Sequence, residues 1–504
     1  MSQPGTQSTS TSSDEVVEKS VRGAATTTLA GLVGRAAGLV TTLLVTHFVH
    51  KTEYGQANLA LIIATVVNVL TLLAPQQALL TRRTLFAESS QIIQRFVVGS
   101  GVLVFGLLFG LGRPLLGLLH ESGTLPLLQV YCAALFFERL ALIPAVRLRY
   151  ELRFSHLVQV DLLGDTVYVI VTMATAAYGA GAICLPLGAL LRQVARVLWL
   201  KFGLRMSLLW SDVQLPNAQT QTLRSELWQM MWPIYLASMV ELSTLYMDNL
   251  FVGRVYSTGA QGIYAVGYTV MMTPCETIAM YATSALVRAL GLDDRDRRQQ
   301  NFLAGLRYVT LLLLPIATGA ALVGPTFESA LLPPRWHGIA QIMAGLSLGA
   351  VSLGFHRMAF AQLTALHKSR LAALVYATQI SCFVLGLWLV ARFDPQRLHM
   401  ERTAYAVSGA LLLAGVTGVL ATVVTERLRL SWLAYALGPA LLGSSAMAVA
   451  LAGLQWLLGR FAVPQTAPRL LVEVLLGMVV YGSYLRLCHP SLFDEVRRFI
   501  ARRN

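Results

Sequence analysis

The chain has 504 residues, 55% of them hydrophobic and 13% charged, with a mean hydropathy of +0.61 and a formal net charge of +14. Soluble domains carry about 25% charged residues, so a water-soluble globular protein is excluded and lipid must be part of the solvent. The basic excess then reflects the cytoplasmic bias of Lys and Arg in membrane proteins and the anionic headgroups they meet, and no nucleic acid is expected.

Residues 1–13 are rich in Ser, Thr and Gln and read as a disordered tail. The apolar stretch that begins near Ala24 is too long for a cleavable signal. A hydrocarbon core of about 30 Å needs about 20 apolar residues in a helix. Fourteen segments qualify, at 24–49, 57–81, 96–118, 125–146, 157–178, 181–204, 230–252, 263–287, 303–330, 339–366, 369–391, 403–425, 432–457 and 469–487. The expected class is an all-α membrane protein of about 14 transmembrane helices. Spans five and six are divided only by the glycine turn Tyr178-Gly179-Ala180-Gly181.

The longest polar stretch, 205–229, separates two sets of six spans, and the short turns after spans one and seven both carry Gly. Two six-helix lobes in parallel pseudo-repeat around a central cavity are expected, with two extra C-terminal helices. The division is a tail at 1–20, an N-lobe at 21–204, a linker at 205–229, a C-lobe at 230–425, spans thirteen and fourteen at 426–490, and a basic amphipathic tail at 491–504. With the N-terminus in the cytoplasm, the inside segments hold 24 Lys and Arg and the outside segments nine. That ratio supports both termini inside.

Charged side chains within the spans are the first candidates for function, because each costs roughly 2.5–3.5 kcal/mol mid-membrane. Arg35 sits midway along span one, among the small residues Gly31, Gly34 and Gly38 that let backbones approach. Its planar fork suits phosphate oxygens. Arg357, beside His356 in span ten, is a second cationic candidate. Glu241 and Asp248, seven residues apart on span seven, and Glu276 on span eight are candidates for ion coupling or for pairing with Arg35. Glu138 and Arg139 are expected to satisfy one another or neighbouring helices, and Arg307 to anchor the inner end of span nine. Arg192 and Arg196 are expected to snorkel inward, and for Asp161 and Asp165 an interfacial role and a transport role stay open.

Enzyme signatures are lacking: there is no HExxH, GxxxxGK[ST] or GxSxG, and the outside loops are short. The five cysteines form no CxxC pair, so neither a disulfide framework nor a metal site is expected. A transporter without a cofactor is the expectation.

Several local patterns then carry a resemblance over roughly residues 15–490. They are His50-Lys51-Thr52-Glu53-Tyr54-Gly55 after span one, Arg82-Arg83 after span two, and Arg149-Tyr150-Glu151-Leu152-Arg153-Phe154 before span five. Asp248-Asn249-Leu250-Phe251-Val252-Gly253-Arg254 followed by Gly262-Ile263-Tyr264, and Pro334-Arg335-Trp336, complete them. In this order the chain resembles the bacterial oligosaccharide flippases of the polysaccharide transporter family, within the multidrug/oligosaccharidyl-lipid/polysaccharide exporter superfamily.

The resemblance implies a V-shaped cavity lined by spans one, two, seven and eight. It also implies a polyprenyl-pyrophosphate-linked oligosaccharide as substrate, alternating access driven by a proton or sodium gradient or by potential, and a bacterial inner-membrane location. A polymerase or export complex is an implied partner, besides membrane lipids. Arg35 in Gly34-Arg35-Ala36-Ala37-Gly38 matches the arginine of the related peptidoglycan-precursor flippase motif, whereas Thr41 stands where that flippase has a second arginine. A cation-coupled multidrug antiporter of the same superfamily is the alternative, and a multispan glycan polymerase or ligase is the more distant one.

Overall fold

The structure is a computed structural model that describes residues 10–81, 86–118, 121–208, 217–290 and 294–490. The Arg82-Arg83 pair, part of the 205–229 stretch and the tail 491–504 lie outside the described residues. Fourteen α-helices run through the described residues. The first seven are α1 (Ser10–Phe48), α2 (Lys51–Thr81), α3 (Phe86–Leu118), α4 (Leu125–Tyr150), α5 (Phe154–Ala177), α6 (Cys184–Leu198) and α7 (Asn217–Val255). The others are α8 (Thr258–Leu290), α9 (Arg295–Leu331), α10 (Ile339–Ala365), α11 (Ser369–Phe393), α12 (Glu401–Glu426), α13 (Leu430–Arg460) and α14 (Ala467–Cys488). Among the described residues, twelve helical segments are long and apolar enough to cross a membrane, and α7 and α8 add 39 and 33 helical residues. The protein is a multi-pass membrane protein. The glycine turn does separate two spans: α5 stops at Ala177, and Gly179 and Gly181 take φ of +78° and +62°, which side chains with a Cβ rarely adopt.

The chain divides into two compact units, Met1–Tyr246 and Met247–Asn504, with the division inside α7. In the first unit, α2, α3, α4 and the first half of α7 share a core that includes Leu79, Ile93, Val146 and Leu227. A second core joins α4, α5 and α6 through Leu148, Leu157, Val160 and Leu200. Polar residues in this unit are held by partners across helices. Arg139, 3% exposed, donates to Thr71 Oγ1 on α2 at 2.5 Å and to the Leu135 carbonyl at 2.9 Å. Glu138 accepts from Asn68 Nδ2, also on α2, at 3.0 Å. Of the two expectations for this pair, satisfaction by a neighbouring helix is the one the structure realises.

The turn between α1 and α2 shows what its motif is for. Glu53 reaches back to accept from the His50 backbone N–H at 3.0 Å, closing the first turn of α2 as an N3 glutamate does. Gly181 packs against that same carboxylate, where a Cβ would approach Glu53 Oε1 to 2.8 Å.

In the second unit, α10 packs on α8, α9 and α12. Small residues make its seam with α12. A Cβ on Gly345 would meet Ala404, one on Gly415 would meet the Ser352 carbonyl at 2.9 Å, and Ser408 Oγ donates to the Gly345 carbonyl at 2.6 Å. Backbones that approach this closely gain dispersion contact, which lipid tails cannot outcompete. The last two helices attach to α9. Glu473 on α14 is fully buried, pairs with Arg469 at 3.0 Å, and accepts from Thr326 on α9 at 3.1 Å and from Gln455 on α13 at 3.4 Å.

Candidate anion site in the first unit

The site is built where α1 lies on α5. Gly34 makes the approach possible, because a methyl group there would collide with the Asp165 carboxylate. Asp161 and Asp165 are four residues apart and so share one face of α5. Arg192 and Arg196 have the same spacing on α6 and meet them: Arg192 Nη2 lies 2.5 Å from Asp165 Oδ1, and Arg196 Nη2 lies 2.7 Å from Asp161 Oδ1. Gly164 lets both arginine stems cross α5, since a Cβ there would stand 2.8 Å from Arg196 Cγ and 3.3 Å from Arg192 Cγ.

These pairs do not exhaust the arginines. A guanidinium carries five N–H donors. Arg196 also donates to Gln193 Oε1 at 3.1 Å, yet the Nε atoms of both Arg192 and Arg196 are buried without a hydrogen-bond partner among the described residues. Arg149, from the last turn of α4, and Arg35, one residue beyond Gly34, line the same cavity. Its volume is about 510 Å³, and among the described residues four arginines and two aspartates line it. These six side chains carry a net charge of +2 in a space walled by helices. Such a cavity attracts an anion with more than one charge, and a low-dielectric wall strengthens the attraction.

The family model described as polysaccharide biosynthesis protein matches residues 44–341. The chain belongs to that family. No curated protein matches it significantly. Among solved structures, the chain is similar to a lipid II flippase, MurJ, in an inward closed conformation, with a TM-score of 0.72 at 14% identity, covering 92% of this chain and 98% of that one. It is also similar to an inward-facing multidrug resistance MATE family transporter of the MOP superfamily, with a TM-score of 0.63 at 12% identity, covering 78% and 94%. A third likeness is to the Vibrio cholerae MATE transporter VcmN in its bent form, with a TM-score of 0.52 at 14% identity, covering 83% and 98%. At these identities the likeness is one of fold: the chain shares the fold of these flippase and transporter structures.

The other candidates named from the sequence are distributed over both units. Glu241 lies on α7 in the first unit, and its side chain lies outside the described residues. Asp248, Glu276 and Arg357 belong to the second unit. Asp248 is fully buried and accepts from Tyr264 Oη at 2.9 Å, from the Asn249 backbone at 2.7 Å and from Asn249 Nδ2 at 3.1 Å. The Asp248 and Gly262-Ile263-Tyr264 patterns thus meet as a clasp between α7 and α8, and Gly253 leaves room for Gln261 in the same seam. Glu276 accepts from Tyr268 Oη at 3.3 Å. Arg357 has its Nε buried without a partner among the described residues, and neighbouring His356 packs edge-on to Tyr376 with ring centroids 4.9 Å apart. Thr41 is buried and donates to its own helix at the Ala37 carbonyl, 2.8 Å away.

Sequence reasoning expected Arg192 and Arg196 to snorkel, left Asp161 and Asp165 open between an interfacial and a transport role, and placed Arg149 in an inside loop. A signal was available. Both i,i+4 pairs lie at similar distances from the glycine turn that joins their spans, so a helical hairpin brings the acids opposite the bases.

Proposed function

We propose that the protein moves a polyprenyl-diphosphate-linked oligosaccharide from the inner to the outer leaflet of a bacterial inner membrane, for assembly of a cell-surface polysaccharide. The carrying observation is the cavity of net charge +2 formed by Arg35, Arg149, Arg192 and Arg196 with Asp161 and Asp165, in a chain of the polysaccharide biosynthesis family. A disubstituted diphosphate carries two negative charges and offers oxygens that match guanidinium forks. It is the part of such a substrate least able to enter hydrocarbon, so a cationic, helix-walled cavity lowers the largest barrier to its passage.

In this reading Arg35, Arg149, Arg192 and Arg196 receive the diphosphate. Arg357, whose buried Nε has no hydrogen-bond partner among the described residues, is a second cationic candidate for the substrate. Glu241, Asp248 and Glu276 are the carboxylates through which a proton or sodium gradient would bias re-orientation by alternating access. The excess of 24 Lys and Arg in alternate segments over nine in the others supports cytoplasmic termini. A polymerase or export complex would receive the product at the outer leaflet. The antiporter reading draws on the likeness to MATE transporters, but a cavity with twice as many arginines as carboxylates repels the organic cations such a protein would export.

The test is the lipid-linked glycan pool of cells lacking the protein, with leaflet assigned by access of an external glycosidase. A complete oligosaccharide that accumulates on polyprenol and resists the enzyme supports the reading. An unchanged pool together with altered drug susceptibility moves the assignment to the antiporter.

A further inference from the structure

We infer that Asp161 and Asp165 are built-in counter-ions that compete with the diphosphate for Arg192 and Arg196 and so drive its release; this inference rests on the anion-binding reading of the same cavity. Each carboxylate holds one guanidinium, at 2.7 Å for Asp161 with Arg196 and 2.5 Å for Asp165 with Arg192. Neither pair is sealed: the side chains of Asp161 and Arg192 are 38% and 39% exposed. Pairs this open are weak and readily exchanged. An incoming diphosphate supplies oxygens to the same nitrogens, and its two phosphoryl groups face two arginines one helical turn apart.

A cavity of four arginines without acids would hold a diphosphate tightly, and a carrier that binds too tightly does not release its load. The aspartates oppose this. They occupy the arginines in the empty state, so binding must break two ion pairs, and re-forming them offsets the loss of phosphate contacts on departure. Their placement is fixed by backbone geometry. Asp165 is seated against Gly34 of α1, and the arginine stems cross α5 at Gly164. The carboxylates therefore remain beside the guanidinium groups when the anion is bound.

The experiment uses the full chain in lipid nanodiscs with a synthetic ten-carbon prenyl diphosphoryl N-acetylglucosamine as probe, a diester without a titration near neutral pH. Asp161→Asn and Asp165→Asn keep shape and hydrogen-bonding capacity while removing one charge each. Each is expected to bind the probe about tenfold more tightly, mostly through slower dissociation, and the double variant should flip the probe more slowly in proteoliposomes. Equal or weaker affinity in both single variants, with thermal unfolding unchanged, overturns the counter-ion role and leaves diphosphate binding standing. Failure of the wild-type protein to bind the probe, under conditions where it flips a native lipid extract, overturns both. Should one variant unfold, the other carries the comparison.

Discussion

Neutralising one ion pair as a pair separates a structural staple from a substrate contact. Arg192→Gln alone leaves Asp165 without its partner. The pair is 39% and 20% exposed at its two side chains. It lies between exposed pairs, which contribute about 0–1 kcal/mol, and buried ones, whose breakage costs about 3–5 kcal/mol. A loss of about 1–2 kcal/mol in stability is expected. In the double variant Arg192→Gln with Asp165→Asn neither member of the pair is left charged, the two amides can bond to each other, and the net charge of the cavity's described lining stays at +2. Stability should return to within about 1 kcal/mol of wild type. Transport should not return. A charge-assisted hydrogen bond contributes about 1.5–3 kcal/mol, so a lost guanidinium–phosphate contact reduces flipping about 10- to 100-fold. Thermal unfolding in nanodiscs gives the first quantity, and probe flipping in proteoliposomes gives the second. A double variant that is both stable and fully active would show that Arg192 only braces α6 against α5, and the diphosphate assignment would lose that contact.

Four further outcomes are expected. Arg35→Ala should abolish transport in cells while membrane insertion, followed by immunoblot of the membrane fraction, is unchanged; full activity would remove Arg35 from the site. Glu473→Ala should destabilise the attachment of α13 and α14 by about 3–5 kcal/mol, because it strands the nearly buried Arg469, and a melting temperature within a degree of wild type would contradict this. Gly415→Val should weaken the α10–α12 seam, where even a Cβ would approach the Ser352 carbonyl to 2.9 Å; detergent stability should fall, whereas Gly409→Val, with nothing near its Cβ, should be neutral.

The fourth concerns the turn between α11 and α12. Burial pushes the Asp394 carboxyl up, but the N–H groups of His399 and Leu398, the Tyr256 hydroxyl and Arg402 outweigh it and hold it below the ordinary 3.8. A depressed carboxyl contributes stability that is complete above its unfolded value and is lost as pH falls through its folded one. Hydrogen exchange in residues 394–400 should therefore accelerate only below about pH 4, and Tyr256→Phe, which removes one of the bonds that hold the carboxyl down, should raise exchange above pH 4 and shrink the further acceleration on acidification; an acid response unchanged by the substitution would refute the coupling.

The fold was legible because hydrocarbon imposes a single length on every crossing helix, and the apolar runs state that length directly. Even the narrow break between spans five and six was readable, since Gly179 and Gly181 supply the positive φ that the turn requires. The site was legible only in part. Arg35 stood out because a lone guanidinium in an apolar run has no local excuse. Arg192 and Arg196 had one, in that they lie near the inner end of a span, where snorkelling explains a cation without a partner. Which explanation holds depends on what faces them, and a single helix does not contain that information. Asp248, a candidate for ion coupling from its isolation in sequence, has partners in space that the pattern of its own helix did not announce: Tyr264 and Asn249 supply its hydrogen bonds. The local patterns that carried the resemblance divide in the same way: Glu53 closes a helix end and Tyr264 joins two helices, whereas Arg149 reaches the cavity.

The aspartates also resolve a difficulty of insertion. Four arginines on three spans are costly to insert, each by up to about 2.5–3.5 kcal/mol, the figure for the bilayer centre. Their cost falls because two have carboxylate partners within the α5–α6 hairpin, a contact local in sequence. Asp161 and Asp165 pair Arg196 and Arg192 within that hairpin, while Gly34 and Gly164 set the spacing that keeps those pairs reachable. The same reachability makes them exchangeable. A pair sealed deep in the core, as Arg469 with Glu473 is, offers stability and nothing to a ligand. A pair on the wall of a cavity of about 510 Å³ satisfies the chain when the cavity is empty and, on the proposed reading, is divided when an anion enters. The physical distinction between a staple and a binding element in this protein is therefore accessibility, since both are ion pairs between the same kinds of side chain.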